Sequence, residues 1–398
     1  MAGEKNILLG VTGGVAAYKS AELARLLQKE GFCVQAVLTE AAERLVSSRL
    51  FAALTRKPVF SDLWDPRFAD AMGHISLGRW ADAILVAPAS ADFLSKLACG
   101  AADDLLSTLC LARTCPLLVA PAMNQAMWGQ AATQRNTRLL GCDGVLFAGP
   151  AAGPQACSEE GLGRMLEPED IMAHVHALFF PKVLAGKKVL VSSGPTFEAI
   201  DAVRGITNRS TGKMGHALAR AAWEAGARVF LVTGPVCLPS PWGMEEVVRV
   251  TSALEMRQVI LERAREADVF ISAAAVGDYT PKKTFSGKIP RGEGGVIWEF
   301  ESTPDILAEV GTLTPRPYLV GFALEAEEEI FRGEEKRKRK NADLLVANRL
   351  QALGEEESEA VLLGAQAPAH IPLAPKLHVA RQIVLAIGQA MAWRGTSP

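Results

Sequence analysis

The chain has 398 residues, enough for two or three domains that each bury a core of their own. With 49% hydrophobic and 22% charged residues it reads as a folded globular protein, not a disordered one. A formal net charge of -2 offers no general attraction for nucleic acid or an acidic membrane surface, so any anion must be held by local sites. No uninterrupted apolar run reaches about eighteen residues, and the start carries no leader-like segment; the expectation is a cytoplasmic protein. Seven scattered cysteines, without Cys-x-x-Cys pairs or zinc spacing, indicate neither a disulfide framework nor a legible metal ligand set.

Residues 5–11 form a short apolar run that ends in Thr12-Gly13-Gly14, before a helical pattern with Leu23, Leu26 and Leu27 on one face. Strand, glycine turn and helix make a phosphate cradle, or simply a tight turn that needs glycine. A second strand over 32–38 closes at Thr39. A third over 83–87 ends in Pro88-Ala89-Ser90-Ala91-Asp92, and a fourth over 117–120 runs into Pro121-Ala122-Met123-Asn124. A fifth covers 145–148. Strands alternating with helices predict a doubly wound parallel α/β sheet, which delivers Thr12, Thr39, Ser90 and Asn124 to one carboxyl edge. Taken alone, Asn124 reads equally as a turn residue or a site amide. His74 follows Gly73 and reads as structural or catalytic. Cys157 lies in a polar, glycine-bounded loop or flap, unlike Cys33, Cys99, Cys110 and Cys115 in or beside apolar runs.

Gly10-Val11-Thr12-Gly13-Gly14-Val15-Ala16-Ala17-Tyr18-Lys19, Gly73-His74, Ala87 to Asp92, Pro121 to Trp128 and the Cys157 loop occur together and in order. In this set, residues 5–180 resemble the flavin-dependent cysteine decarboxylases, phosphopantothenoylcysteine decarboxylases in particular. The resemblance implies a flavodoxin-like sheet in trimeric units with sites between subunits. It also implies FMN held by Gly13, Gly14, Thr39, Ser90, Ala91, Asp92, Phe93 and Ala122. His74 would assist oxidation and decarboxylation, Asn124 would bind the substrate carboxylate, and Cys157 would supply a proton.

The pattern restarts near residue 183, which sets the expected domains at 1–182 and 183–398. A strand over 188–192 turns at Ser193-Gly194-Pro195-Thr196. Gly212-Lys213 is followed by methionine where a Walker loop needs Ser or Thr, so P-loop chemistry is not expected. A helix over 214–224 stops at Gly226, and strands over 229–235 and 269–279 close in small or polar residues, as a Rossmann-like sheet would. A helix begins near Thr303-Pro304-Asp305. The run Glu334 to Lys340 reads as a solvated helix face, on which Lys336 and Lys340 are four apart and could grip a polyphosphate.

Residues 187–350 resemble the bacterial, CTP-using phosphopantothenate–cysteine ligases. The resemblance implies substrate handling by Arg204 and Asn208, with Asn208 steadying an acyl-cytidylate. Nucleotide positions fall on Asp278, Lys288, Pro304, Asp305, Ile306, Leu307, Phe322, Lys336 and Lys340, and Lys288 also serves the second step. It further implies dimeric ligase contacts and Mg2+ beside CTP. The loop reads Lys288-Ile289-Pro290-Arg291, where the family carries Lys-x-Lys-Lys, which leaves positions 290 and 291 without an assigned role. The order of the two families is that of bifunctional bacterial coenzyme A enzymes. The expected substrates are 4′-phosphopantothenate, cysteine and CTP, with no nucleic acid or membrane partner. Two alternatives stand beside this reading: a decarboxylase with an impaired ligase, and a non-catalytic nucleotide- or flavin-binding regulatory protein.

Overall fold

The computed structural model describes residues 5–68, 73–290, 297–325, 329–349, 354–364 and 367–394. The chain divides into two compact units, Met1–Phe179 and Phe180–Pro398. In the first, β1 (Asn6–Val11), β2 (Cys33–Leu38), β3 (Ala83–Ala89), β4 (Leu117–Pro121) and β5 (Leu146–Phe147) form a parallel sheet in the order β2-β1-β3-β4-β5. The strand order reverses beside β1, and open α/β sheets take ligands at the carboxyl ends of strands flanking such a point.

Both faces of this sheet are covered, so its strands are continuous apolar runs. Ile7, Leu9 and Val11 pack with Leu23 and Leu27 of the helix Ala17–Lys29, while Leu8 joins the opposite layer with Leu94 and Leu109. Along β3 the alternation slips: Leu85 and Ala87 belong to one core, Val86 and Ala89 to the other, with a register shift against β4 between Val86 and Ala89. The slip accommodates Pro88, whose carbonyl accepts from Thr12 Oγ1 at 2.8 Å. The same hydroxyl accepts the Ser90 N–H at 3.0 Å, fixing the end of β3 to the end of β1.

The segment around Cys157 is more ordered than a loop. β6 (Ala151–Pro154) and β7 (Glu160–Arg164) pair antiparallel, with Cys157 in the hairpin's turn. Gly163, at φ 143°, passes so close to the end of β4 that an added Cβ would lie 2.5 Å from the Met123 carbonyl. Only glycine allows that approach. The Met123 N–H donates to the Gly163 carbonyl at 2.9 Å and fastens the hairpin there.

The second unit contains β8 (Lys188–Ser193), β9 (Phe197–Ala199), β10 (Gly205–Thr207), β11 (Arg228–Thr233), β12 (Met244–Arg249) and β13 (Val269–Ser272). After these come β14 (Tyr279–Pro281), β15 (Phe300–Ser302), β16 (Tyr318–Glu325), β17 (Leu344–Arg349), β18 (Glu357–Leu363) and β19 (Ala369–Pro375). The large sheet runs β12-β11-β8-β13-β16-β17-β18-β19. It is parallel and Rossmann-like through β17, then mixed, because β18 pairs antiparallel with β17 and β19 antiparallel with β18. Val189, Val191, Ile271 and Val320 face one core with Leu218 and Ile383; Leu190, Phe270 and Leu319 face the other with Ile260 and Val310. Two small antiparallel pairs, β9 with β10 and β14 with β15, arise from the connections after β8 and β13.

Helix limits depart slightly from the sequence pattern. The helix expected near Thr303 begins at Ile306, capped by Asp305 Oδ1, which accepts the Ala308 N–H at 3.1 Å. The helix Glu329–Arg339 ends one residue before Lys340, yet the Lys340 N–H still reaches the Lys336 carbonyl at 3.0 Å, so both lysines share a turn. Among the described residues, no helix is long and apolar enough to cross a membrane.

Candidate active sites

The strand ends of the first unit surround a cavity of about 400 Å³, lined by Gly13, Gly14, Ser90, Ala122, Asn124 and Cys157 among others. Gly13 and Gly14 lead into the helix Ala17–Lys29, whose start has no side-chain cap, so its N–H groups suit an anion. A Cβ on Gly13 would lie 2.5 Å from Ala41 Cβ, whereas one on Gly14 would meet only Pro88, at 3.9 Å. The cradle is open at Gly14 and closed at Gly13. Ser90 Oγ accepts the Phe93 N–H at 3.2 Å, capping the helix Ala91–Cys99. A glycine turn, an uncapped helix start and an apolar-walled cavity fit FMN.

The expected flavin contacts divide. Gly13, Gly14, Ser90, Ala91 and Ala122 line the cavity, and Thr39, Asp92 and Phe93 do not. Thr39 Oγ1 accepts the Ala42 N–H at 3.2 Å as a helix cap, Asp92 is exposed, and Phe93 is buried in the core. Lys19, which the sequence reading did not select, also lines the cavity. Its buried Nζ donates to Glu167 at 2.9 Å and to the Met165 carbonyl at 3.4 Å.

Asn124 and Cys157 are brought together; His74 is not. Asn124 caps the helix Gln125–Gly129, its Oδ1 accepting the Ala126 N–H at 2.8 Å, so Nδ2 faces the hairpin. There Nδ2 lies 3.3 Å from both Gln155 Oε1 and Cys157 Sγ and donates to Glu159 Oε2 at 2.7 Å. Gln155 Oε1 also accepts the Gln125 N–H at 3.0 Å, which leaves Gln155 Nε2 buried without a partner. Hydrogen bonds from Asn124, then Gln125, hold the Glu159 carboxyl below its ordinary value against slight desolvation, with Cys157 adding to the effect. Gln155 and Glu159 belong to the Cys157 stretch of the sequence, but neither was singled out there as a site residue. His74 is half-buried in the helix Gly73–Trp80 and is absent from the cavity lining.

In the second unit Arg204 lies between β9 and β10, Asn208 just after β10, and Lys288 between β14 and β15. A residue outside the expected set, Asp201, joins the first and last. Burial works to raise its carboxyl, but N–H groups of Val203, Ile289 and Arg204 and the Arg204 guanidinium outweigh it and hold the pKa well below the usual range. Arg204 also donates to the Ile289 carbonyl at 2.7 Å, so the exposed Lys288 is held next to it in the chain. Asn208 Nδ2 donates to the Ala275 carbonyl at 2.9 Å and reaches the Val276 carbonyl at 3.3 Å, two residues before Asp278.

Asp278, Asp305 and Lys340 form a second group. Burial lowers the Lys340 pKa and the Asp278 charge opposes that, while Asp305 contacts the ammonium directly. Lys336 is half-buried one turn earlier. Ile306 is buried and Leu307 packs beneath Gly321, so they and half-buried Pro304 shape the wall from which exposed Asp305 projects. A cavity of about 140 Å³ lies at the carboxyl edge, lined by Gly212, Lys213, Phe322, Asn348 and Lys376 among others. Of these only Phe322 was expected. Asn348 Oδ1 is buried without a partner, and Gly212, at φ 78°, starts the helix Lys213–Glu224. Arg291 lies outside the described residues. Among the described residues, no group of three His, Cys, Asp or Glu gathers as a metal site.

Residues 184–391 match the family model described as DNA/pantothenate metabolism flavoprotein C-terminal domain, and residues 1–180 match the Flavoprotein model. A Vibrio cholerae protein called Coenzyme A biosynthesis bifunctional protein CoaBC is 46% identical over 354 residues, covering 88% of each chain. The chain belongs to the CoaBC family. CoaBC relatives from Bacillus subtilis and Escherichia coli K12 are 43% identical over 357 residues and 44% identical over 350. The first match covers 89% of this chain and 88% of the relative, the second 86% of each. As a CoaBC family member the chain is a bifunctional enzyme of coenzyme A biosynthesis, a decarboxylase and a ligase on one polypeptide, and its first unit is a flavoprotein domain.

Proposed function

We propose that residues 183–398 join cysteine to 4′-phosphopantothenate with CTP, and that residues 1–182 decarboxylate the product to 4′-phosphopantetheine with FMN. The observation that carries the decarboxylase assignment is the meeting of Asn124 and Cys157 on the cavity that Gly13, Gly14 and Ser90 open. Those residues, with Ala91 and Ala122 and with Thr39, Asp92 and Phe93 in support, would hold FMN, which when bound would supply reversible two-electron chemistry for the substrate thiol. Asn124 Nδ2 binds the substrate carboxylate and orients it for loss as carbon dioxide. The Cys157 thiol, 3.3 Å from that amide, gives a proton to the carbon left behind. His74 assists from a neighbouring subunit of a trimer, which accounts for its distance from the cavity of its own chain.

In the ligase, the phosphopantothenate carboxylate attacks the α-phosphate of CTP and releases pyrophosphate; the cysteine amine then displaces CMP. Arg204 handles phosphopantothenate, and Asn208, fixed by the Ala275 carbonyl, steadies the mixed anhydride. Asp278, Asp305, Lys336, Lys340 and Phe322 hold the nucleotide, with Pro304, Ile306 and Leu307 forming its wall. Lys288 serves both steps. Magnesium enters as the Mg–CTP substrate, the ligase units pair as dimers, and the enzyme works in the cytoplasm. Lys340 already contacts Asp305 and lies near the Asp278 charge, so a polyphosphate takes hold of it only by replacing Asp305 on the ammonium.

Two assays test the two halves. Carbon dioxide release from phosphopantothenoylcysteine by yellow, flavin-loaded protein is expected, and its absence would sink the decarboxylase reading. Pyrophosphate release should require both CTP and phosphopantothenate; release with neither dependence, or none, would remove the ligase reading and favour an impaired second unit.

A further inference from the structure

The hairpin places a carboxylate of the protein's own on the amide that is assigned to the substrate's. Asn124 Oδ1 is committed to the helix start through the Ala126 N–H at 2.8 Å, which fixes the direction of the whole amide. Its Nδ2 carries two N–H groups. One donates to Glu159 Oε2 at 2.7 Å, a length typical of a bond to an ionised acceptor, and the other faces Gln155 Oε1 and Cys157 Sγ, each at 3.3 Å. Gln125 Nε2 supports the same Glu159 oxygen at 3.3 Å. With the hairpin in this position, Asn124 has no N–H left for a ligand.

We infer that Glu159 is a specificity-determining residue of the decarboxylase: its carboxylate occupies the substrate-carboxylate position on Asn124, and the substrate must exchange with it. The inference rests on the reading of Asn124 as carboxylate anchor. An incoming carboxylate replaces one anion by another and leaves the amide paired. A ligand without a carboxylate gains nothing from Asn124, because displacing Glu159 would strand a desolvated donor. The same exchange favours turnover. Once carbon dioxide has left, the bound product has no group for Asn124, and Glu159 returns to it. Glu159 is exposed, in the turn immediately before β7, so it can leave without disturbing a core.

The test uses the full-length, flavin-loaded protein and its Glu159→Gln and Glu159→Ala variants. Decarboxylation kinetics are measured together with inhibition by the decarboxylated product. Removing an internal competitor restores the binding-competent fraction, so KM should fall about threefold or more, with a smaller change in kcat. The product's inhibition constant and the flavin spectrum should not change. A KM that is unchanged or higher in both variants overturns the inference, as does a product constant that falls in step with KM, which would report a loosened hairpin. Asn124→Ala separates the two layers: if it leaves the wild-type KM unchanged, the anchor reading fails; if it raises KM while the Glu159 variants do not lower it, only the exchange fails.

Discussion

At the scale of single residues, chemistry depends on which atoms the fold leaves available. Cys157 is exposed in a hairpin turn beside Asn124, whereas Cys110 is fully buried and its thiol is pushed up to about 12 by desolvation. Of the two, Cys157 lines the cavity and can reach a ligand there, and Cys110 does not. Cys157→Ser should keep its flavin spectrum while decarboxylation slows on the order of 100-fold; unchanged turnover in steady-state assays would remove the proton-donor role. Asn208→Asp would set a carboxylate against the Ala275 and Val276 carbonyls, where the amide now donates. An unpaired partner of that kind costs about 1–3 kcal/mol, so pyrophosphate release should fall roughly tenfold. Motif residues such as Gly13, Asn124 and Cys157 were legible in the sequence because turn chemistry and a family pattern both point to them. Asp201, Gln155 and Glu159 were not, because each acts through a partner far away in the chain or across a hairpin. No local spacing encodes the bond from Ile289 N–H to Asp201.

Elements position those residues by close approach and by which face they bury. The hairpin's hold on β4 depends on Gly163, so Gly163→Ala should force it away from Met123 at a cost of about 1–3 kcal/mol. A rise in decarboxylation KM with the ligase untouched is the expected readout. The helix Lys213–Glu224 is tied to β8 where His216 Nδ1 meets Ser193 Oγ at 3.0 Å and the Gly212 carbonyl at 3.2 Å. Burial lowers the His216 pKa below 6.5, helped by Arg249 and opposed by the Gly212 carbonyl. A base with a depressed folded pKa contributes stability that is full above its unfolded value and is lost as pH falls through the folded one. The unfolding transition of the second unit should therefore move down in temperature as pH drops below 6.5, and His216→Gln should flatten that dependence in calorimetry. The parallel strands were legible as apolar runs because both faces are buried. The antiparallel pairings of β18 and β19 were not: β19 carries mostly exposed side chains, and its direction follows from pairing with β18, not from a periodicity of its own.

For the whole molecule, two sheets with separate cores carry two separate chemistries. Leu85→Ala, in the buried core of the first, should lower that unit's stability by about 2–5 kcal/mol. In the same preparation, CTP-dependent pyrophosphate release should persist, since Leu85 belongs to the first unit's core. The measurement that tests the central claim most directly is a mass-resolved assay of the purified full-length protein with 4′-phosphopantothenate, cysteine, CTP and magnesium. The expected result is two products in succession: the cysteine amide, formed only when CTP is present, and then the same molecule less carbon dioxide. No amide with all four components present, or an amide that accumulates on flavin-loaded protein and never loses carbon dioxide, would contradict it.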